Sequence, residues 1–203
     1  MTDALVPPAV PASLEAAGWE RVDERTETLF ELAAVRIRGA TVQYEDERTR
    51  DAFRQATGID HALRFFAATQ LDFQPSLPPG VSPKLVASTL RSEVRRRFAE
   101  KLADRGLVDI EYEASERRRL PDRSRVRMLR FTATAPLDDH PALPLECWVT
   151  VWIAGRTVRI ISAGHPAANL AERYDIDTDE ELLARSLAEY REHFFETLEE
   201  MAR

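Results

Sequence analysis

Leu145-Glu146-Cys147-Trp148-Val149-Thr150-Val151-Trp152-Ile153, then Ala154-Gly155-Arg156, then Thr157-Val158-Arg159-Ile160-Ile161-Ser162: the fold turns on this stretch. Both runs are rich in β-branched and aromatic residues, which suit a pleated backbone. The short glycine-containing link between them predicts a tight antiparallel hairpin. Successive side chains of a strand point to opposite sides, so Cys147, Val149, Val151 and Ile153 share one face while Trp148, Thr150 and Trp152 share the other. Both faces are apolar, and a strand of that kind belongs in the middle of a sheet covered on both sides.

More strands lie upstream. Residues 125–135 read as a strand, and 136–144, with Pro136, Pro141 and Pro144, as a loop. Val108, Ile110 and Tyr112 alternate with Asp109, Glu111 and Glu113, the pattern of a half-buried strand. Residues 25–46 suit strands through Val35, Ile37, Val42 and Tyr44, with a bend or bulge expected at Gly39. Residues 64–73, with three phenylalanines, predict another strand before the break at Pro75, Pro78, Pro79 and Gly80.

Helices separate these runs. Ser13 can cap a short helix that Gly18 stops, and Asp46 can cap one running to Thr57 with Gly58 at its end. Ser82 and Pro83 suit the start of a longer helix over 83–105, where Val86, Leu90, Val94, Phe98 and Leu102 make one apolar stripe ended by Gly106. A last helix is expected over 178–201, with a capping box at Thr178-Asp179-Glu180-Glu181. Its inner stripe is Leu183, Leu187, Tyr190, Phe194, Leu198 and Met201.

This order predicts an α+β fold with a single, largely antiparallel sheet flanked by two long amphipathic helices. Residues 1–12 form a flexible proline-rich arm, and 13–203 one domain. From Trp19 onward the element order resembles the fold of the PsbP family of the oxygen-evolving complex, in which helices cover an antiparallel sheet and a final hairpin feeds a C-terminal helix. The alternative is a helix-grip fold, whose curved sheet wraps a long C-terminal helix around a cavity. Of the 28 basic residues only Lys84 and Lys101 are lysine, and the charge is −7. This composition resembles that of proteins from GC-rich, salt-loving microbes such as the haloarchaea.

The chain lacks an apolar run of the roughly 18–20 residues a bilayer span needs and lacks a secretory signal pattern, so a cytoplasmic location is expected. The lone Cys147 sits in an apolar run and reads as a buried small side chain. No glycine loop for phosphates is present, and no cofactor is expected. Asp138-Asp139-His140 lacks metal-site spacing and reads as a solvated turn; Ser162 and His165 place a hydroxyl near an imidazole, as a nucleophile and base would require, with no identifiable third partner.

Two surfaces remain. Trp148, Thr150 and Trp152 form a candidate ligand face, with packing beneath a helix as the plainer reading. Arg117, Arg119, Arg123, Arg125 and Arg127 form a candidate face for an anionic partner, with ordinary solvation as the plainer reading. Charge is polarised: residues 84–130 carry 14 Lys/Arg against 8 Asp/Glu, and residues 171–203 carry 4 Arg against 11 Asp/Glu. The expected function is a non-enzymatic interaction or binding module, with itself or another protein as partner and neither membrane nor nucleic acid favoured. A helix-grip ligand carrier or enzyme, and a nucleic-acid contact through the Arg-rich hairpin, are the alternatives.

Overall fold

The computed structural model describes residues 5–32, 35–76, 83–178 and 180–203. One open sheet organises them. Strands β1 (Trp19–Leu32), β2 (Val35–Asp46) and β3 (Phe65–Gln74) form one antiparallel meander; β4 (Val108–Arg119), β5 (Arg125–Leu137), β6 (His140–Ala154) and β7 (Thr157–Pro166) form a second. The two join where β3 pairs antiparallel with β7, giving the order β1-β2-β3-β7-β6-β5-β4. The hairpin of β6 and β7 is therefore central, as its two apolar faces require.

The expected alternation divides the core. Cys147, Val149 and Val151 belong to one cluster, with Leu90, Val94, Phe98 and Leu102 of α3 (Pro83–Asp104) and Phe53 of α2 (Glu47–Thr57). Trp148 and Trp152 belong to the other, with Leu14 of α1 (Ala12–Ala16) and Phe194, Phe195 and Leu198 of α5 (Leu187–Glu200). Helices thus cover both faces of an α+β protein. Asp46 caps α2 by accepting from the Thr49 amide, and Gly58 ends it in the left-handed conformation. Gly106, also left-handed, follows α3. Ser82 and Asp179, two of the expected capping residues, lie outside the described residues, as does the side chain of Val86. Among the described residues, no helix is long and apolar enough to cross a membrane.

Several expectations need correction. The last helix does not start at 178. Its capping box is Ser186 with Glu189, and α4 (Leu170–Arg173) and turns precede it. The reason is tertiary: Leu170 and Leu183 pack in the α3-side cluster, whereas Phe194 and Leu198 pack on the other face, so the chain must cross the sheet before α5 begins. Only α3 is long, with 22 residues against 14 for α5. Residues 136–144 are not a loop: β5 and β6 continue to a two-residue turn at Asp138-Asp139. Pro141 and Pro144 are tolerated because β7 ends opposite Leu145, leaving that part of β6 a neighbour on one side only. β4 is not half-buried but an exposed edge, with Val108 46% and Tyr112 36% accessible. Ser13 does not cap α1; Pro11 occupies that position, and the Ser13 hydroxyl donates to Glu200 at 2.5 Å. In the proline-rich arm, Pro8 is buried and Val10 packs on the second cluster.

Gly39 makes no bulge. It pairs in register with Glu27 and Leu71, and a Cβ there would sit 2.5 Å from Leu29 Cδ1 and 2.8 Å from Thr69 Cγ2. Gly164 is tighter still: opposite Phe65 in the ladder, its missing Cβ leaves room for the ring, whose Cε1 would otherwise lie 2.2 Å away. Phe65 is buried and cannot swing out. Gly164→Ala is expected to cost about 1–3 kcal/mol by overpacking, read as a lower urea midpoint; an unchanged midpoint would mean that the ring yields freely.

Candidate functional site

Among the described residues the tryptophan face forms no cavity. Trp148 and Trp152 are 0% and 2% exposed. The Trp148 ring packs against Phe194 and Phe195, and its indole nitrogen donates to Glu146 at 2.9 Å. Trp152 donates to the Ser124 hydroxyl at 3.0 Å, and the Thr150 hydroxyl donates to the Arg127 carbonyl at 3.0 Å. The face is spent on holding α5. Arg117, Arg119, Arg123, Arg125 and Arg127 are all exposed, on or between β4 and β5.

Ser162 and His165 do not meet. Ser162 sits opposite Val149 and faces α3, while His165 sits opposite Glu146 and stacks on Tyr190 of α5. An odd separation along a strand puts two side chains on opposite faces. Cys147 is fully buried, and burial pushes its thiol up to about 12, so it stays protonated and inert. Asp138, Asp139 and His140 lie at an exposed turn, and among the described residues no group of three metal-ligating side chains converges.

Beneath α5 lies a dense polar cluster. Glu146, 4% exposed, accepts two hydrogen bonds from Arg191, with Arg130 3.7 Å away. Asp46 pairs with Arg64, which also donates to His193 Nδ1 at 2.9 Å. The carbonyl of Pro166 can only accept, so His165 Nδ1 carries the proton in the 3.0 Å contact with it. Burial pushes the His165 and His193 imidazoles down to about 4, so both are neutral near pH 7. Perturbed groups of this kind often mark function. Here, however, the free space beside Trp19, Tyr190 and Phe194 is about 10 Å³, the room of one water at most. The cluster fastens α5 to the sheet.

Free space does lie on the other face. Between α3 and the sheet runs a crevice of about 300 Å³. Val94, Phe98 and Leu102 wall it from the helix, where spacings of four residues keep side chains on one side. Val149 and Ile160 line it from the sheet. Its floor is unusual for the covered face of a sheet. Thr41 of β2 stands opposite Thr69 of β3, and their hydroxyls share a hydrogen bond of 2.8 Å although both are buried. One step along, Gln43, Ala67 and Ser162 stand side by side on β2, β3 and β7, half-buried in mid-sheet. An apolar side chain at these positions would have filled the core; small and polar residues leave a hollow with hydrogen-bonding groups at its base.

The rim carries charge already paired. Arg25 and Lys101 both approach Glu27, at 3.0 and 3.6 Å; Arg105 donates to Glu45 at 2.8 Å and Arg97 to Glu93 at 3.1 Å. Burial opposes the charge of Glu27, but the hydrogen bond from Arg25 and the ammonium of Lys101 hold its carboxyl below the ordinary range. The Arg105 guanidinium closes one end by lying 4.3 Å over the Phe65 ring. With its cations matched, the crevice offers shape and hydrogen-bonding groups more than free charge.

Sequence reading missed these residues for a physical reason. In Thr41-Val42-Gln43-Tyr44 and Phe66-Ala67-Ala68-Thr69, a polar or small residue at every second position is also the mark of a strand face turned to water. Only the placement of α3 over that face turns it into a crevice. A search of the curated proteins and of the solved structures finds no match to this chain. A family model does match, over residues 7–200, and the chain belongs to that family, the domain of unknown function DUF6517.

Proposed function

We propose that the chain is a non-enzymatic binding module that takes a small molecule with an apolar body and hydroxyl or amide groups into the crevice beneath α3. The observation that carries this reading is the polar floor of Thr41, Gln43, Thr69 and Ser162, set under an otherwise apolar wall. Binding pockets combine an apolar lining with a few convergent polar groups, and the volume falls at the small end of their usual range of about 300–1,000 Å³. The opposite orientations of Ser162 and His165 support binding rather than acyl transfer. In this reading a helix-covered antiparallel sheet of the PsbP kind grips its ligand with α3, not with the C-terminal helix.

The test uses neutral probes of matching chemistry: phenol, indole and cyclohexanol, titrated into the isotope-labelled protein and followed by NMR. Shifts are expected at the amides of Thr41, Thr69, Ser162 and Val94. Ala67→Phe fills the hollow from its floor, and should weaken binding by about tenfold or more, a change of roughly 1.4 kcal/mol, while circular dichroism stays unchanged. If no probe moves these amides at millimolar concentration, or if the shifts persist in a folded Ala67→Phe protein, the crevice is not the site.

A further inference from the structure

β4 is an outer strand, and among the described residues one side of its backbone has no partner. Its first half is bulged at two places, but over residues 114–119 it pairs with β5 without interruption. Every second residue of such an edge turns its N–H and C=O outward, a template for one more strand.

The side chains of this regular run sort by face. Leu129 and Phe131 of β5 belong to the α3-side cluster, and Val126 and Met128 to the α5-side one. By the same alternation Arg125 and Arg127 stand on the α3 side. Arg117 lies opposite Arg127 and Arg119 opposite Arg125, so four guanidinium groups share that side as two directly opposed pairs. All four residues are exposed, and among the described residues none has an ion-pair partner. Like charges so placed repel. The α5 side of the run differs: Glu116 lies opposite Met128, and Arg118, opposite Val126, is matched by Glu199 at 3.3 Å.

Charge on an edge strand can serve only to keep other strands away. That accounts for the outer pair, Arg117 and Arg119, but not for Arg125 and Arg127, which belong to the next strand in and are already paired with β4. The opposite edge, β1, shows no such surplus. Its acids Asp23, Glu24, Glu27 and Glu31 are met by Arg21, Arg25, Arg36 and Lys101 of the same chain. Single-stranded nucleic acid fits the patch poorly. Tyr112, the exposed aromatic on this side, is engaged by the Arg95 guanidinium 3.8 Å over its ring and by Phe131, and the net charge of −7 repels a polyphosphate.

From this we infer that residues 114–119 are a docking edge for an extended segment of another protein that carries carboxylates at alternate positions and adds to the sheet as a further strand. Backbone hydrogen bonds along the edge supply the affinity of such an addition, and alternate side chains supply its specificity. Alternate residues of an extended segment share a face about 6.5–7 Å apart, the interval that also separates Arg117 from Arg119. Carboxylates on the α3 side then lie beside those two guanidinium forks, which bind them through paired hydrogen bonds. Their negative charge relieves the repulsion between the outer and inner arginines. The residues between them face Glu116 on the α5 side and are neutral or basic, since an acid there would be repelled.

A short peptide alternating glutamate and threonine is the probe, beside a second of the same composition with its glutamates in one block. Titrated into the isotope-labelled protein and followed by NMR, the alternating peptide should shift the amides of residues 114–119 and slow the hydrogen exchange of every second one. The block peptide puts acids on both faces and should bind about tenfold more weakly. Arg117→Glu combined with Arg119→Glu should weaken the alternating peptide by about tenfold or more. Both positions are exposed, and circular dichroism verifies that the variant folds. No shift at millimolar peptide, equal binding of the two peptides, or binding without exchange protection would each overturn the proposal. So would an oligothymidylate that moves these amides at lower concentration than the peptide does. A natural chain already paired along this edge, seen as twice 23.1 kDa in light scattering with these amides protected, would overturn it as well. Ala67→Phe should leave peptide binding unchanged, which keeps this result separate from that of the crevice.

Discussion

Asp46→Ala is expected to lose about 3–5 kcal/mol of stability through the stranded charge of Arg64, with about 1 kcal/mol more from the lost helix cap. Asp46 and Arg64 are 4% and 3% exposed, and the pair lies where β2 ends, α2 begins and α5 packs across. Besides Arg64, the Asp46 carboxylate accepts the Thr49 amide at 2.9 Å and the Thr49 hydroxyl at 2.7 Å. The guanidinium lies 4.8 Å from the Trp19 ring and 5.1 Å from that of Tyr190. Without Asp46 that cation, 3% exposed, has no counter-charge in contact among the described residues. Against a total stability of about 5–15 kcal/mol for an ordinary domain, such a loss is near the limit of what the fold tolerates. Arg64→Met should cost less: it removes the charge, fits the aromatic surroundings, and leaves Asp46 its two bonds to Thr49. Asp46→Asn, which keeps the cap but not the charge, should fall nearer to Asp46→Ala. Urea midpoints of the three proteins decide the matter. Equal losses in Asp46→Ala and Arg64→Met would show that the stranded Asp46 carboxylate costs as much as the stranded Arg64 and that its bonds to Thr49 do not compensate it.

The second large effect is with pH. His165 is buried neutral, its imidazole held near 4 by desolvation against an ordinary 6.5. Glu146 of β6 pulls the other way, while Arg64 before β3 and Arg191 of α5 add to the lowering. Tyr190 of α5 stacks on the ring. A group whose folded value is depressed in this sense binds its proton more readily in the unfolded chain. Stability is therefore fully present above about pH 6.5 and is lost as the pH falls toward 4, by roughly 3 kcal/mol for a difference of this size. His193 acts in the same direction, through burial first and then the charges of Arg64 and Arg185. Carboxylates such as Glu146, held below the ordinary 4.5 by Arg191 despite their burial, withdraw their share only at lower pH. The unfolding free energy measured between pH 7 and 4.5 should fall steeply in the natural protein. His165→Gln, which cannot take the charge, should be less stable at pH 7 but show a shallower fall. Parallel curves for the two proteins would exclude His165 as the source.

What local chemistry encodes was legible residue by residue. The alternation in 145–153 determined that β6 is central and that its two faces feed different parts of the core. Asp46 and Gly58 marked both ends of α2, and the stripe from Leu90 to Leu102 determined which side of α3 is buried. These are short-range patterns, written in the period of a helix or a strand. The same patterns cannot report which distant segment lies alongside. A polar residue at every second strand position looks the same beneath water as beneath α3, so the crevice of Thr41, Gln43, Thr69 and Ser162 had no separate mark. Tertiary structure alone decided that β4 is an edge and that α5 begins at Leu187. Both outcomes depend on neighbours remote in sequence, where packing outweighs local preference.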